Sequence, residues 1–218
     1  MKPRTEVVEG ADRPARIRNP RGEGARLREE IIVGATALLE RTGSEESLSL
    51  RAIAREIGVT GPAIVRHFDD LTQIIDAVIA REVEAFHDAL ATAGGEAPVE
   101  RLLNISRAYV RMARDHPARY RVLIGRRMIE DWDVRNLAME HTAPMLAATM
   151  GIVAGAIQAC IDVGAAAGPD AYLDTVVLWF TLHGLVAIPQ AITSIEWPET
   201  DRLLRACVTR AAKLIPPE

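Results

Sequence analysis

The sequence predicts an all-α protein of about nine helices. Three observations carry that expectation. Aromatics make up only 4% of the 218 residues, while Ala, Leu, Arg and Glu abound, and unbranched side chains of this kind lose little freedom in a helix. Apolar residues recur every three or four positions, and no stretch alternates as a half-buried strand would. Capping and stop residues punctuate almost every predicted boundary.

The segments follow in order. Residues 1–24 contain Pro3, Pro14 and Pro20 with scattered charge and no apolar period, and read as a disordered arm. A first helix is expected from Ala25 to Thr42, with Leu27, Ile31, Ala35, Leu38 and Leu39 on one face and Gly43 as its stop. Ser49 caps a second that ends at Gly58. Thr60 caps a short third reaching His67. Asp70 with Gln73 resembles a capping box opening a long fourth helix to about Ala93. Gly94, Gly95 and Pro98 separate it from a fifth, which Pro117 stops at Asp115. A sixth is expected over 118–129. Thr142 would cap the seventh, with Pro144 in its first turn. Gly168-Pro169 would open an eighth to about Ala187, and Trp197-Pro198-Glu199 a ninth to Ile215. On that last helix Leu203, Cys207, Ala211 and Leu214 share one side. Residues 143–161 carry no charge, but their apolarity comes mostly from Ala and Gly, which favours a core helix over a membrane span.

Three regions result: the arm 1–24, a helix-turn-helix unit 25–71 and a larger helical domain 72–218. The formal charge is −4. Residues 1–71 hold 12 basic and 12 acidic side chains, leaving 14 and 18 for the remainder. Affinity for nucleic acid must therefore come from local placement of arginines rather than a global field. Cys160 and Cys207 lie in apolar helical text without metal-like spacing, as for buried thiols in a reducing, cytoplasmic compartment.

The block from Ser49 to Phe68 carries the functional signal. It joins a short amphipathic helix, a Gly turn at Gly58, a hydroxyl cap at Thr60 and a second short helix. Ala54 is small where the helices must approach, and Val59 and Ile64 fill the gap between them. Such a unit presents the start of its second helix to a DNA major groove.

The stretch from Arg26 to Ala77, with "IAREIGVT", "HF" and a capped long helix after it, resembles the DNA-binding domain of the TetR (tetracycline repressor) family. "DHPARYRVL" at 115–123 and "WFTLHGLV" at 179–186 resemble the regulatory domain of one branch, with its Trp, His and Gly at 179, 183 and 184. The resemblance implies a cytoplasmic homodimer that binds double-stranded operator DNA and responds to a small-molecule effector, as a repressor released by it. It implies that Thr60, Gly61, Pro62 and Ala63 face bases, that Arg66 and His67 sit at the backbone or groove edge, and that Ser49 and Arg51 meet phosphates. Two positions depart from the family pattern. Val65 stands where Tyr is usual, and Leu71 where Lys is usual; both usual residues touch phosphate. Arg13, Arg16, Arg18 and Arg21 could supply substitute contacts from the arm, or could belong to a solvated tail.

The family's effector cavity would draw on Phe86, Tyr109, Met112, Tyr120, Met128, Trp132, Met139, Met145, Met150, Trp179, Phe180 and His183. Methionine suits an adaptable apolar wall. The last two helices carry long apolar stripes, which two subunits would pair into a four-helix interface. Two other classes remain open. A DNA-bending protein would need no effector. A helical di-iron enzyme needs two Glu-x-x-His pairs, and only Glu84–His87 is present. No phosphate loop, HExxH or G-x-S-x-G occurs, so no cofactor or metal is expected.

Overall fold

A computed structural model describes residues 24–125 and 137–216. Among the described residues there are nine α-helices and no strand. The first four are α1 (Gly24–Thr42), α2 (Leu50–Ile57), α3 (Gly61–Val65) and α4 (Leu71–Ala91), with a 3₁₀ turn at Glu45–Ser47. The others are α5 (Pro98–Asp115), α6 (Pro117–Gly125), α7 (Leu137–Asp162), α8 (Ala171–Ala191) and α9 (Thr200–Ala211).

The caps act largely as the side chains predict. Ser49 Oγ accepts from the Ala52 amide at 3.1 Å, and Asp70 Oδ1 from the Gln73 amide at 2.9 Å. The return bond of the capping box is shifted: Gln73 Oε1 accepts from the amide of Asp69 instead of Asp70. Thr60 occupies the cap of α3 without a side-chain bond, and α3 stops at Val65, short of His67.

Four boundaries depart from the sequence reading in the C-terminal half. Thr142 is no cap; α7 starts five residues earlier at Leu137 and carries Pro144 inside it, because Leu137-Ala-Met-Glu is a run of strong helix formers. At α8 the cap is Asp170, whose carboxylate accepts from Leu173, and the helix continues through Pro189 to Ala191. The ninth helix ends at Ala211, four residues early. Beyond it Lys213 takes φ 50° and the chain turns back: Ala167 N–H donates to Lys213 O at 3.0 Å, and Ile215 N–H to Ala165 O at 2.9 Å. Lys213 Nζ then meets the buried Asp174 carboxylate at 2.8 Å. For α6, residues past 125 lie outside the described part.

Two apolar cores form. Ile31, Ala35 and Leu39 of α1, Ile53 of α2, Ile64 of α3 and Phe68 build the first. Leu102, Ile105, Tyr109, Ile157, Leu178 and Val208 belong to the second, drawn from α5, α7, α8 and α9. Two helices enter both. The first turns of α4 place Ile74, Ile75 and Val78 in the N-terminal core, and its far end places Phe86 and Leu90 in the other. The short α6 divides likewise, with Ala118 and Val122 on one side and Tyr120 on the other.

The reading of 143–161 as a core helix holds for one face only. Val153, Ala156, Ile157 and Cys160 are buried, but little more than a quarter of the apolar window of α7 or α8 is buried within the protomer. By length and composition both helices could cross a membrane. On α9 the inward residues are Leu204, Val208 and Ala211; Leu203 and Cys207 lie half-buried on the neighbouring side. The stripe read from sequence thus mixes two faces.

At Gly34, α1 and α2 approach closely. A Cβ there would stand 2.2 Å from Ile57 Cγ2. Gly34→Ala is therefore expected to lower unfolding free energy by about 1–2 kcal/mol, since overpacking outweighs the helix-propensity gain. Urea melts check this; an unchanged or higher midpoint would show that Ile57 simply turns aside.

Candidate nucleic-acid interface

The recognition unit is held from behind, which leaves its front free. Gly58 adopts a left-handed φ of 71°, and Val59 N–H returns to Ala54 O at 2.9 Å, closing α2 and reversing the chain. Ile64 is fully buried, so the opposite side of α3 must face outward. Arg41 of α1 grips Glu56 of α2 through two bonds of 2.9 and 2.6 Å. Arg28 lies 4.7 Å over the Phe68 ring, and Arg81 of α4 pairs with Glu29 of α1.

Ser49, Arg51, Thr60, Pro62 and Arg66 are exposed, while Gly61, Ala63 and His67 are half-buried. All eight lie at or beside the starts of α2 and α3 or the end of α3. Gly61 has open space where a side chain would project. Val65 is also exposed, 50%, and presents methyl groups. Arg55 is exposed too. The face thus offers the guanidinium groups of Arg51 and Arg66, one hydroxyl at each cap and an apolar patch of Pro62, Ala63 and Val65. Cations can meet phosphates, and methyl groups can meet the thymine methyl.

The predicted effector residues divide. Phe86, Tyr109, Tyr120, Trp179 and His183 converge. Ring centroids of Phe86 and Tyr109 are 5.3 Å apart, of Tyr109 and Trp179 5.6 Å, and of Trp179 and His183 5.5 Å. Tyr109 and Tyr120 hydroxyls lie 3.1 Å apart, and both meet His183 Nδ1. Burial lowers the His183 pKa and pushes Tyr120 up to about 12, which favours a neutral imidazole beside a neutral Tyr120 phenol. With Nδ1 accepting a phenolic proton, the ring carries its own proton on Nε2.

Met112 packs at the edge of the same core. Met145 and Met150 lie half-buried on α7. Phe180 does not belong: it is 70% exposed, because it points from α8 away from Trp179's side. Met128, Trp132 and the side chain of Met139 fall outside the described residues, as does the arm before Gly24. Among the described residues no group of His, Cys, Asp or Glu is placed to hold a metal.

An ion-pair clamp that sequence inspection missed joins the two cores. Arg119 of α6 meets Glu40 of α1 at 2.7 Å and Glu82 of α4 at 3.7 Å; His116 lies 3.5 Å from Glu40. Burial raises the Glu82 pKa against the pull of Arg119. These residues are 37–79 positions apart, so no local pattern could announce the cluster.

The comparisons agree with this arrangement. Residues 31–78 match the family described as bacterial regulatory proteins, tetR family, and residues 102–211 match the tetracyclin repressor-like C-terminal domain. An uncharacterized HTH-type transcriptional regulator of Mycobacterium tuberculosis is 30% identical over 208 residues, 95% of this chain and 85% of that protein. Among solved structures, a protein of unknown function from Rhodococcus sp. RHA1 superposes with TM-score 0.72 at 23% identity, covering 86% of this chain and 94% of that one. A TetR transcription regulator from Haloarcula marismortui does so at 0.68 and 18%, covering 87% and 97%. These two likenesses carry the fold alone; the family matches and the mycobacterial relative carry more. This chain belongs to the TetR family of DNA-binding transcriptional regulators.

Proposed function

We propose that the protein is a cytoplasmic homodimeric repressor that leaves its operator when a small effector binds the C-terminal domain. The observation that supports this best is α4. One uninterrupted helix begins three residues after Phe68, at the back of the recognition unit, and ends among the aromatic residues of the second core. A ligand that favours one tilt of α4 would shift both recognition helices of a dimer and spoil their ~34–36 Å spacing. Coupling of ~1–3 kcal/mol is enough to change DNA affinity several-fold to over a hundredfold. Thr60, Gly61, Pro62 and Ala63 would face bases; Ser49, Arg51, Arg66 and His67 would hold the backbone. Phe86, Tyr109, Tyr120, Trp179 and His183 would form the effector-sensing wall.

The dimer reading rests on α8. Leu173, Val177, Phe180 and Ile188 are all exposed and fall on one stripe at helical spacing, an apolar face of the kind that marks a protein interface. A ligand-independent DNA-bending protein would need neither this coupling nor the buried Tyr–Tyr–His cluster.

Selection of bound DNA from a random pool is expected to return a roughly palindromic site. On that site Arg66→Ala is expected to cost about 1–3 kcal/mol and to lower the salt slope, while Arg55→Ala leaves both near the parent value. Fluorescence anisotropy at several salt concentrations measures both. Equal affinity for random and selected DNA would overturn the repressor reading, and a silent Arg66→Ala would remove that residue from the interface.

A further inference from the structure

A groove of about 480 Å³ lies between the start of α6, the last turns of α8 and the segment leading into α9. It shares no residue with the aromatic cluster. Leu185, Pro189, Trp197 and Leu203 form its apolar walls, and Arg114 and Arg121 bring two guanidinium groups to it. The volume falls in the range of small-molecule sites. The Trp197 ring is fixed by its indole N–H, which donates to Ile192 O at 3.0 Å, and it stays 36% exposed.

The two arginines have neutral partners. Arg121 Nη2 donates to Gly43 O at 2.7 Å, and Arg114 Nη1 to Thr200 Oγ1 at 2.7 Å. Among the described residues neither lies within salt-bridge distance of a carboxylate. Glu199, which feels the Arg114 charge, lines the adjoining groove instead. That adjoining groove, of about 380 Å³, shares Arg114 with the first but is balanced: Asp115, Glu199 and Asp201 line it beside Arg107, Arg111 and Arg114, and Asp201 sits 2.7 Å from Arg107. Two guanidinium groups beside apolar walls, with no carboxylate among the groove's lining residues, suit a ligand that is apolar at one end and anionic at the other. Guanidinium prefers a carboxylate to a carbonyl, because the charge-assisted bond is stronger and can be bidentate.

We propose that this groove binds an amphipathic organic anion, an aromatic or alicyclic carboxylate, whose charged end takes Arg121 from the Gly43 carbonyl. Gly43 is the left-handed residue closing α1, so the bond ties α6 to the end of a DNA-domain helix. Breaking it gives the anion a lever on the recognition unit separate from α4. This consequence for DNA rests on the repressor reading; occupancy of the groove does not.

The probes are 1-naphthoate and its uncharged counterpart 1-naphthalenemethanol, titrated calorimetrically into the full chain. Naphthoate is expected to bind at least about tenfold more tightly than the alcohol, and Arg121→Gln or Arg114→Gln to remove about that factor. Arg107→Gln in the balanced groove is expected to bind naphthoate like the parent. Equal affinities for the two probes, no binding of naphthoate, or arginine variants that bind like the parent would each overturn the site. The parent comparison needs no variant, so it stands even if one fails to fold. Saturating naphthoate is further expected to weaken binding to the selected DNA in the parent but not in Arg121→Gln, and DNA to weaken naphthoate by the same factor. Naphthoate bound with DNA affinity unchanged would overturn the lever. A chain that binds naphthoate but no DNA would instead overturn the repressor reading and leave the site intact.

Discussion

Phe180→Asp, on the proposed dimer seam, is expected to yield a monomer and to cost at least about a hundredfold in operator affinity. In a two-fold interface each surface residue acts twice, so one substitution introduces two carboxylates into an apolar seam. Each would be desolvated without a cation, and unpaired buried charge is among the costliest changes an interface can suffer. A monomer also loses the linkage of two half-sites, which is worth roughly two to four orders of magnitude in apparent affinity. Phe180 is 70% exposed in the protomer, so the protomer's own fold is expected to survive, with helix content unchanged by circular dichroism. Sedimentation velocity at micromolar concentration checks the outcome. A variant that still sediments as a dimer would place the interface elsewhere, and a parent that sediments as a monomer would overturn the dimer reading.

Arg119→Ala is expected to lower unfolding free energy by about 2–3 kcal/mol. Removing the guanidinium leaves Glu82, 7% exposed, without its nearest cation, and Glu40 without its 2.7 Å partner. Losing one member of a buried pair costs far more than the net worth of the pair, because the remaining charge stays desolvated. Glu82→Gln in the same background is therefore expected to recover part of the loss, and the double-mutant cycle isolates the coupling. Urea midpoints of the parent, both single variants and the double variant decide it. A loss below about 0.5 kcal/mol would show that water screens the clamp.

The N-terminal third was readable because its determinants are local. Ser49 and Asp70 reach amides three residues on, and Gly58 accepts a backbone angle that side chains disfavour. Ile31, Ala35, Leu38 and Leu39 recur at helical spacing on the one buried face of α1. Gly34 was legible but overlooked: a glycine on the buried face of a strong helix signals a close neighbour. In the C-terminal half the same tools slipped. Leu137-Ala-Met-Glu propagated a helix past the supposed cap Thr142, and Pro189 sat in the last turn of α8 instead of ending it.

From sequence alone came the helical class, the recognition unit with its eight candidate contacts, and the aromatic residues that meet in the second core. The class and the recognition unit follow from periodicity, caps and residue type, which act over a few positions, whereas the eight contacts and the aromatic set are what the resemblance to the TetR family implies. Tertiary structure decided which apolar face looks inward and which outward. Leu204 rather than Leu203 enters the core, and Trp179 is drawn in while Phe180 stays out. It also decided which charges meet: Arg119 with Glu40 and Glu82, and Arg121 with Gly43. Charges attract whatever partner the chain brings near, and sequence spacing carries no trace of contacts between helices 37 to 79 residues apart.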